Sequence, residues 1–476
     1  MGTKLPNQCN DQNNFHTSAT PPRWLTCIDR HSTPRYLAIA QGIREALRTG
    51  LLRSGERLPP QRVLAQWLQV NLGTVTRAAE ELRQAGYIQG EVGRGTYLTL
   101  PPSTDAPASL WEPVQPRDFI DLSHNFPPQA PDLSGGHSHL PTLAPDDLRQ
   151  RLSVQVDAGS IAHRASAAQW LGLRGLQVTP EQVLLSCGAQ HGLLLALGAL
   201  TRPGELVLTE ELTYYGLKST TAMLGRSLVG VRMDAQGLLP DALDLACQRT
   251  GAKVLVCCPT LHNPTTATMD AQRRQAIAAV ARKHDLRIVE DDVYGLLPTP
   301  QLPALAQLAP ERTVYVSSLS KLVGPGLRLG FVAAPSGWMR PLGVALRAST
   351  LMASPLNAAL AQPLLEPART QAVLQQLRQT TQERQALVRS QLPASAVVMH
   401  DGAFYFGLRV GTQWTARQFA QAAQAVGVGI TAYDVFEATP LTGSGLLRVC
   451  HNAAPTPELL AHALGKLRQL LDRHPD

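Results

Sequence analysis

The chain has 476 residues, enough for two to four domains at roughly 100–200 residues each. Hydrophobic residues make up 44% and charged residues 17%, and no apolar run reaches eighteen residues, which argues against a disordered chain and against a membrane span. Seven scattered cysteines without a CxxC pair argue against a disulfide scaffold and a zinc site, and the polar first thirty residues lack the apolar stretch of a secretory signal, so a cytoplasmic protein with no metal is expected.

Positive charge is uneven along the chain. Residues 1–100 hold 12 Lys and Arg against 7 Asp and Glu, a net +5, while residues 101–476 carry only +2. A basic front end on a nearly neutral body fits contact with nucleic acid at the front. Only six basic residues are lysine (Lys4, Lys218, Lys253, Lys283, Lys321 and Lys466), so a lysine inside a motif stands out.

In chain order, residues 1–33 read as a polar extension. Over 35–50, Leu37, Ala40, Ile43, Ala46 and Leu47 fall at helical spacing before Gly50. A second short helix is expected over 58–68, begun by prolines, and a third over 70–86, ended by Gly86. Residues 87–98 alternate around Gly90, Gly93 and Gly95, as a hairpin would. Together these predict an α+β winged helix-turn-helix over 34–99. In that geometry the third helix enters the major groove, so Asn71, Thr74, Thr76 and Arg77 face base edges. Arg62 is placed to reach phosphate, and Arg94 to probe a groove from the wing tip.

The motif Leu51 through Pro59, then Arg62, Leu64-Ala65, Val70, Thr74-Val75, Arg77-Ala78 and Gly93-Arg94-Gly95-Thr96-Tyr97, resembles the N-terminal domain of the GntR family. The resemblance covers roughly residues 35–99 and implies operator DNA as partner, bound as a dimer on a repeated site. One departure concerns base reading: Leu72-Gly73 stands where a basic or polar pair is common.

Residues 100–117 carry five prolines and read as an interdomain linker. From 118 onward the pattern becomes α/β. Short apolar strands are expected at 182–186, 205–209, 253–258, 286–290, 313–317 and 327–333, separated by helical segments such as 269–285. That alternation predicts a mostly parallel sheet with helices on both faces, with ligand at the carboxyl ends of the strands. Those ends carry Cys187-Gly188-Ala189-Gln190, Tyr214-Tyr215, His262-Asn263-Pro264, Asp291-Asp292-Val293-Tyr294 and Ser318-Leu319-Ser320-Lys321, with Arg328 opening the last strand. Pyridoxal phosphate needs such a set: an amine for its aldehyde, a carboxylate for its ring nitrogen, donors for its phenolic oxygen, a ring to stack on, and a helix N-terminus with an arginine for its phosphate.

The constellation resembles the class I/II aminotransferases of fold type I, over about 118–476. By that resemblance Lys321 forms the internal aldimine and Asp291 pairs with the ring nitrogen, with Asp292 as its rival. Asn263 and Tyr294 bond the phenolic oxygen. Tyr214 stacks on the ring, with Tyr215 beside it as a rival. Ala189, Gln190, Ser318, Ser320 and Arg328 surround the phosphate. Arg448 grips a substrate or effector carboxylate, and Asn125 lies where the N-terminal segment crosses the site. His262, Cys257 and Cys258 read as packing and loop residues. A large part over about 145–390 and a small C-terminal α/β part over about 391–476 are implied. There are two departures. The Asn-Pro loop continues Thr265-Thr266 where the family usually has Thr-Gly. The segment 155–164 also lacks the tyrosine that many members give to the partner's phosphate, leaving His163 or Arg164 as substitutes.

A winged helix ahead of an aminotransferase-like body resembles the MocR subgroup of the GntR family. The resemblance implies a homodimeric, pyridoxal-phosphate-dependent transcription regulator that senses an amino acid, an amine or the cofactor itself through exchange at Lys321. Two alternatives stay open: an aminotransferase that has retained a DNA-binding head, and a regulator that holds the cofactor only as a structural or sensed ligand.

Overall fold

The computed structural model describes residues 21–29, 33–48, 51–52, 55–84, 86–91, 95–99, 118–128, 146, 149, 151–153, 158–438 and 445–473. The chain divides into two compact units, residues 1–104 and 105–476.

In the first unit, helices α1 (Arg35–Arg48), α2 (Gln61–Leu68) and α3 (Leu72–Gln84) precede an antiparallel hairpin, β1 (Ile88–Glu91) and β2 (Gly95–Leu98). Apolar residues at helical spacing form one core: Ile39, Ala40, Ile43, Ala46 and Leu47 from α1, Leu64 and Leu68 from α2, Val75, Ala78 and Leu82 from α3, closed by Ile88 and Leu98. Leu37, expected on that stripe, is 39% exposed. Between α2 and α3 the chain turns through Gln69 in the left-handed region (φ 53°). Residues that the sequence left in a polar extension join this core. Trp24 and Leu25, in the 3-10 turn Arg23–Cys27, and Ile28 behind it are buried. Gly42 lets that segment lie against α1, because a Cβ there would come within 2.4 Å of Ile28. Arg94 and Gly93, expected at the wing tip, lie outside the described residues, as does the whole linker over 100–117.

In the second unit, β3 (Ile120–Asp121) is followed by β4 (Val183–Ser186), β5 (Leu206–Glu210), β6 (Ser227–Val231), a short hairpin of β7 (Met233–Asp234) and β8 (Gly237–Leu238), then β9 (Val254–Cys257), β10 (Arg287–Asp291), β11 (Thr313–Ser318) and β12 (Gly330–Ala333). Seven of these form one sheet in the order β4-β12-β11-β10-β9-β5-β6, parallel except that β12 runs against both neighbours. Successive side chains go to opposite faces, and both faces are covered. Leu184, Val314, Val316 and Val332 join the helices Ala189–Leu200 and Ser336–Ser349 on one side; Leu185, Tyr315 and Phe331 meet Trp170 and Leu171 on the other. Strands buried on both faces explain the near-continuous apolar runs. Strand β6 was not expected. It is an edge strand whose half-buried Ser-Leu-Val-Gly-Val carries too weak a pattern.

A smaller sheet has the order β13-β14-β17-β16, with β13 (Val397–Val398), β14 (Phe406–Arg409), β16 (Thr431–Ala432) and β17 (Leu446–Val449). It packs on helices Ala416–Ala425 and Pro457–Leu471 through Phe406, Phe419, Leu447, Val449 and Leu464. The segment that enters the body belongs here: β3 pairs in parallel with β15 (Val428–Gly429), and the Cys450 N–H donates to the Leu122 carbonyl at 2.8 Å. This places Ser123–Asn125 beside the ends of the large sheet. Among the described residues no helix is long and apolar enough to cross a membrane.

Candidate functional site

The carboxyl ends of the parallel strands converge, and Lys321 lies at their centre. It ends a 3-10 turn (Leu319–Lys321) that directly follows β11. Its Nζ donates to the main-chain carbonyl of Asn125 and lies 5.8 Å from the centroid of the Tyr294 ring. Burial lowers the Lys321 pKa to about 8, with Arg448 acting the same way and Cys450 and Asp291 opposing.

Asp291 and Asp292 stand in different surroundings at the end of β10. Asp292 Oδ2 accepts from Arg174 Nε at 2.7 Å and from the Tyr315 hydroxyl at 3.0 Å, and the two charged side chains are only 0% and 2% exposed. The rival carboxylate is therefore committed to a buried ion pair. Asp291 Oδ1 is buried with no hydrogen-bond partner, as is Asp292 Oδ1, but Asp291 lacks the arginine ion pair, and burial, then the neighbouring Asp292, raise its pKa to about 7. A buried acceptor without a donor is costly, and a protonated ring nitrogen would satisfy it.

A polar network surrounds the lysine. Asn125 Nδ2 donates to the Tyr294 hydroxyl at 2.6 Å. Arg448, on β17 and 2% exposed, donates from Nη1 to Asn263 Oδ1 at 2.8 Å and from Nη2 to the Ser123 carbonyl at 2.6 Å. Its Nε is buried and unpaired, and its Cζ lies 4.6 Å from the Phe436 ring centroid. Tyr214 caps the helix Tyr215–Met223, its ring 4.8 Å from that of Tyr215, which in turn lies 6.1 Å from Phe436.

The end expected to hold phosphate is built on close backbone approach. Gly188 (φ 85°) precedes the helix Ala189–Leu200, and a Cβ on it would lie 3.0 Å from the Arg328 guanidinium. A Cβ on Gly330 would lie 2.7 Å from the Gly188 carbonyl carbon. Arg328 does not open the strand as expected. It sits in the left-handed region (φ 47°) after the turn Pro325–Leu327, where it is exposed, and donates to the Cys187 carbonyl at 3.0 Å; β12 starts two residues later. The Ser318 Oγ accepts the Ser320 N–H at 3.4 Å. Gln190 contributes more than its backbone: its Nε2 donates to the Gly216 carbonyl and to Thr220 Oγ1, each at 2.9 Å, tying two helices together. Arg164 is committed to the Gly159 and Pro180 carbonyls, and His163 to Arg151.

The sequence reading missed Glu210. It ends β5, is 1% exposed, accepts the Cys258 N–H at 2.8 Å, and has its pKa raised to about 7, chiefly by burial. A carboxylate closing an apolar strand was its only signal. Also missed were Arg174 and Ser123, whose partners are distant in sequence.

In the first unit the residues expected to read DNA gather at the start of α3. Asn71 Oδ1 accepts the Thr74 N–H at 2.9 Å and its hydroxyl at 2.8 Å, which caps the helix. The Thr76 hydroxyl is shared between Gln61 Oε1 at 2.9 Å and the Leu72 carbonyl at 3.1 Å. Arg77 lies 4.3 Å over the Tyr36 ring, and Arg62 is exposed on α2.

A winged helix-turn-helix joined to a body with the fold of pyridoxal-phosphate-dependent transferases defines the class. The aminotransferase class I and II family model matches residues 120–467, and the model of the gntR family of bacterial regulatory proteins matches residues 35–98. The body resembles in fold the α-aminoadipate aminotransferase LysN of Thermus thermophilus, with a TM-score of 0.67 and 24% identity over 75% of this chain and 92% of that one. The HTH-type transcriptional regulator YdeF of Bacillus subtilis is 28% identical over 95% of this chain and 97% of its own. PdxR of Corynebacterium glutamicum, an HTH-type pyridoxine biosynthesis transcriptional regulator, is 30% identical over 64% of this chain and 67% of its own. The chain belongs to the MocR subgroup of the GntR family, and so is a transcriptional regulator with an aminotransferase-like body.

Proposed function

We propose that the protein binds operator DNA as a homodimer, holds pyridoxal phosphate at Lys321, and changes its DNA affinity when a carboxylate-bearing amine or the cofactor itself occupies the body. The observation that carries this reading is the pairing of a lysine lowered to about 8 with a buried, unpartnered carboxylate oxygen on the neighbouring strand end.

When bound, pyridoxal phosphate supplies an electrophilic carbon that condenses with primary amines. The residues present fit it. Near neutral pH Lys321 keeps an accessible neutral fraction, as a nucleophilic amine requires. Asp291 holds the ring nitrogen's proton. Asn263 and Tyr294 orient the phenolic edge, and Tyr214 covers the ring. The Gly188 turn, the N–H groups of Ala189 and Gln190, Ser318, Ser320 and Arg328 receive the phosphate. Arg448, with its unpaired Nε, takes the carboxylate. An effector that prefers one arrangement of the body shifts operator affinity by its differential affinity for the two arrangements.

A second reading, amino-group transfer by the same residues, is favoured by the presence of both the lysine and the carboxylate-binding arginine. One experiment separates them. Visible absorbance and operator binding are followed together while amino acids and amines are titrated into wild type and Lys321→Ala. A band absent from the variant, and a ligand that changes DNA affinity without forming keto acid, support the regulator. Sustained turnover between an amino acid and a keto acid supports the enzyme. No band with added cofactor would overturn both.

A further inference from the structure

We propose that Leu72 and Gly73 form an apolar reading head, with Leu72 selecting a base pair by contact with the 5-methyl group of thymine in the major groove. The inference rests on the DNA-binding reading of the first unit and adds what that unit recognises. The start of α3 is the part of a helix-turn-helix that meets base edges. Some of its polar groups are occupied from within, although stacking leaves the N–H donors of Arg77 available. Asn71 Oδ1 caps the helix, the Thr76 hydroxyl is held by Gln61 and the Leu72 carbonyl, and the Arg77 guanidinium lies on Tyr36.

The Leu72 side chain is offered outward instead. It is 42% exposed and belongs to none of the apolar clusters of the unit. Gly73 supplies an independent observation. Its φ is not in the left-handed region, and a Cβ there would meet only Asn71 Oδ1, at an ordinary 3.6 Å. Among the described residues no contact calls for a glycine at this position. The open space there leaves room for close approach of a partner's surface to the start of α3. The unit's net charge of +5 over residues 1–100 favours a polyanion as that surface. In the major groove the one apolar group on a base edge is the thymine methyl.

The test uses the full-length, cofactor-loaded protein and the duplex it recovers by in vitro selection from a random pool. Each thymine is replaced in turn by uracil, which removes only the methyl. Wild type should lose about fourfold in affinity at one or two positions, as expected for one buried methyl group. Leu72→Ala should bind more weakly and show no uracil penalty there. Gly73→Ala should weaken binding about tenfold or more, the cost of about 1.4 kcal/mol or more at a crowded interface, while thermal stability stays level or rises. A wild type indifferent to uracil at every position, a uracil penalty that survives in Leu72→Ala, or a Gly73→Ala variant with unchanged DNA affinity would overturn the proposal. Failure to select any duplex would overturn the DNA-binding reading and this inference with it.

Discussion

Lys321 and Asp291 are both held away from their ordinary ionisation, in opposite directions on the pH scale. Lys321 loses its proton at about 8 in the fold and near 10.5 unfolded. Between those values the unfolded chain binds the extra proton, so stability rises with pH; below about 8 the penalty of the buried ammonium is complete. The cofactor-free Lys321→Met variant should therefore melt above wild type below pH 8, and the gain should fade towards pH 10.5. The carboxylates at 291 and 292 should also respond differently. Asp292→Asn strands the Arg174 charge in a dry interior and should cost about 3–5 kcal/mol in denaturant unfolding. Asp291→Asn removes a carboxylate whose charge burial disfavours, so near neutral pH it should unfold no more easily than wild type and, by the same linkage, melt higher, while weakening pyridoxal phosphate, measured by visible absorbance.

Among the elements, the start of β12 packs closely on the turn that opens the helix Ala189–Leu200, at the phosphate end of the proposed site. Gly330→Ala would push a methyl group against the Gly188 backbone, 2.7 Å away, which cannot yield as a flexible side chain would. A loss of about 1–3 kcal/mol in stability is expected, with weaker cofactor retention on dialysis. The Asn-Pro loop holds a second element-scale tension. Thr266, a β-branched residue, lies in the left-handed region at φ 66°, and its hydroxyl accepts the His400 N–H at 3.1 Å. Thr266→Gly exchanges that hydrogen bond for relief of strain, two effects of about 1 kcal/mol each, so its melting should stay near wild type. Thr266→Ala keeps the strain, loses the bond, and should melt lower.

For the whole molecule, the two units have separate cores, so lesions in one should be readable without collapse of the other. Arg62→Ala should weaken operator binding and reduce the slope of log affinity against log salt by about 1, with the visible spectrum of the body unchanged. Charge already pointed to this division, because most of the excess positive charge lies in the first hundred residues.

Features set by neighbouring residues could be read before any fold was known. Helical spacing announced α1 and α3, glycine marked their ends and proline the start of α2, and the order of glycine turn, tyrosine, asparagine, aspartate and lysine after successive strands could be read along the chain. In a parallel sheet the chain returns to the same edge after every crossover, so residues that follow successive strands gather at one edge whatever the strand order. Features set by partners far along the chain could not be read. Asp292 is distinguished from Asp291 by Arg174, 118 positions away. Arg448 reaches Ser123 across 325 positions, through a segment whose pairing with β15 no local pattern announced. Trp24 joins the core of the winged helix because Gly42 leaves room for its segment, and Glu210 is buried because strands close over it. Burial and long-range pairing are properties of the assembled chain, and they decide which of two adjacent identical residues is free to meet a ligand.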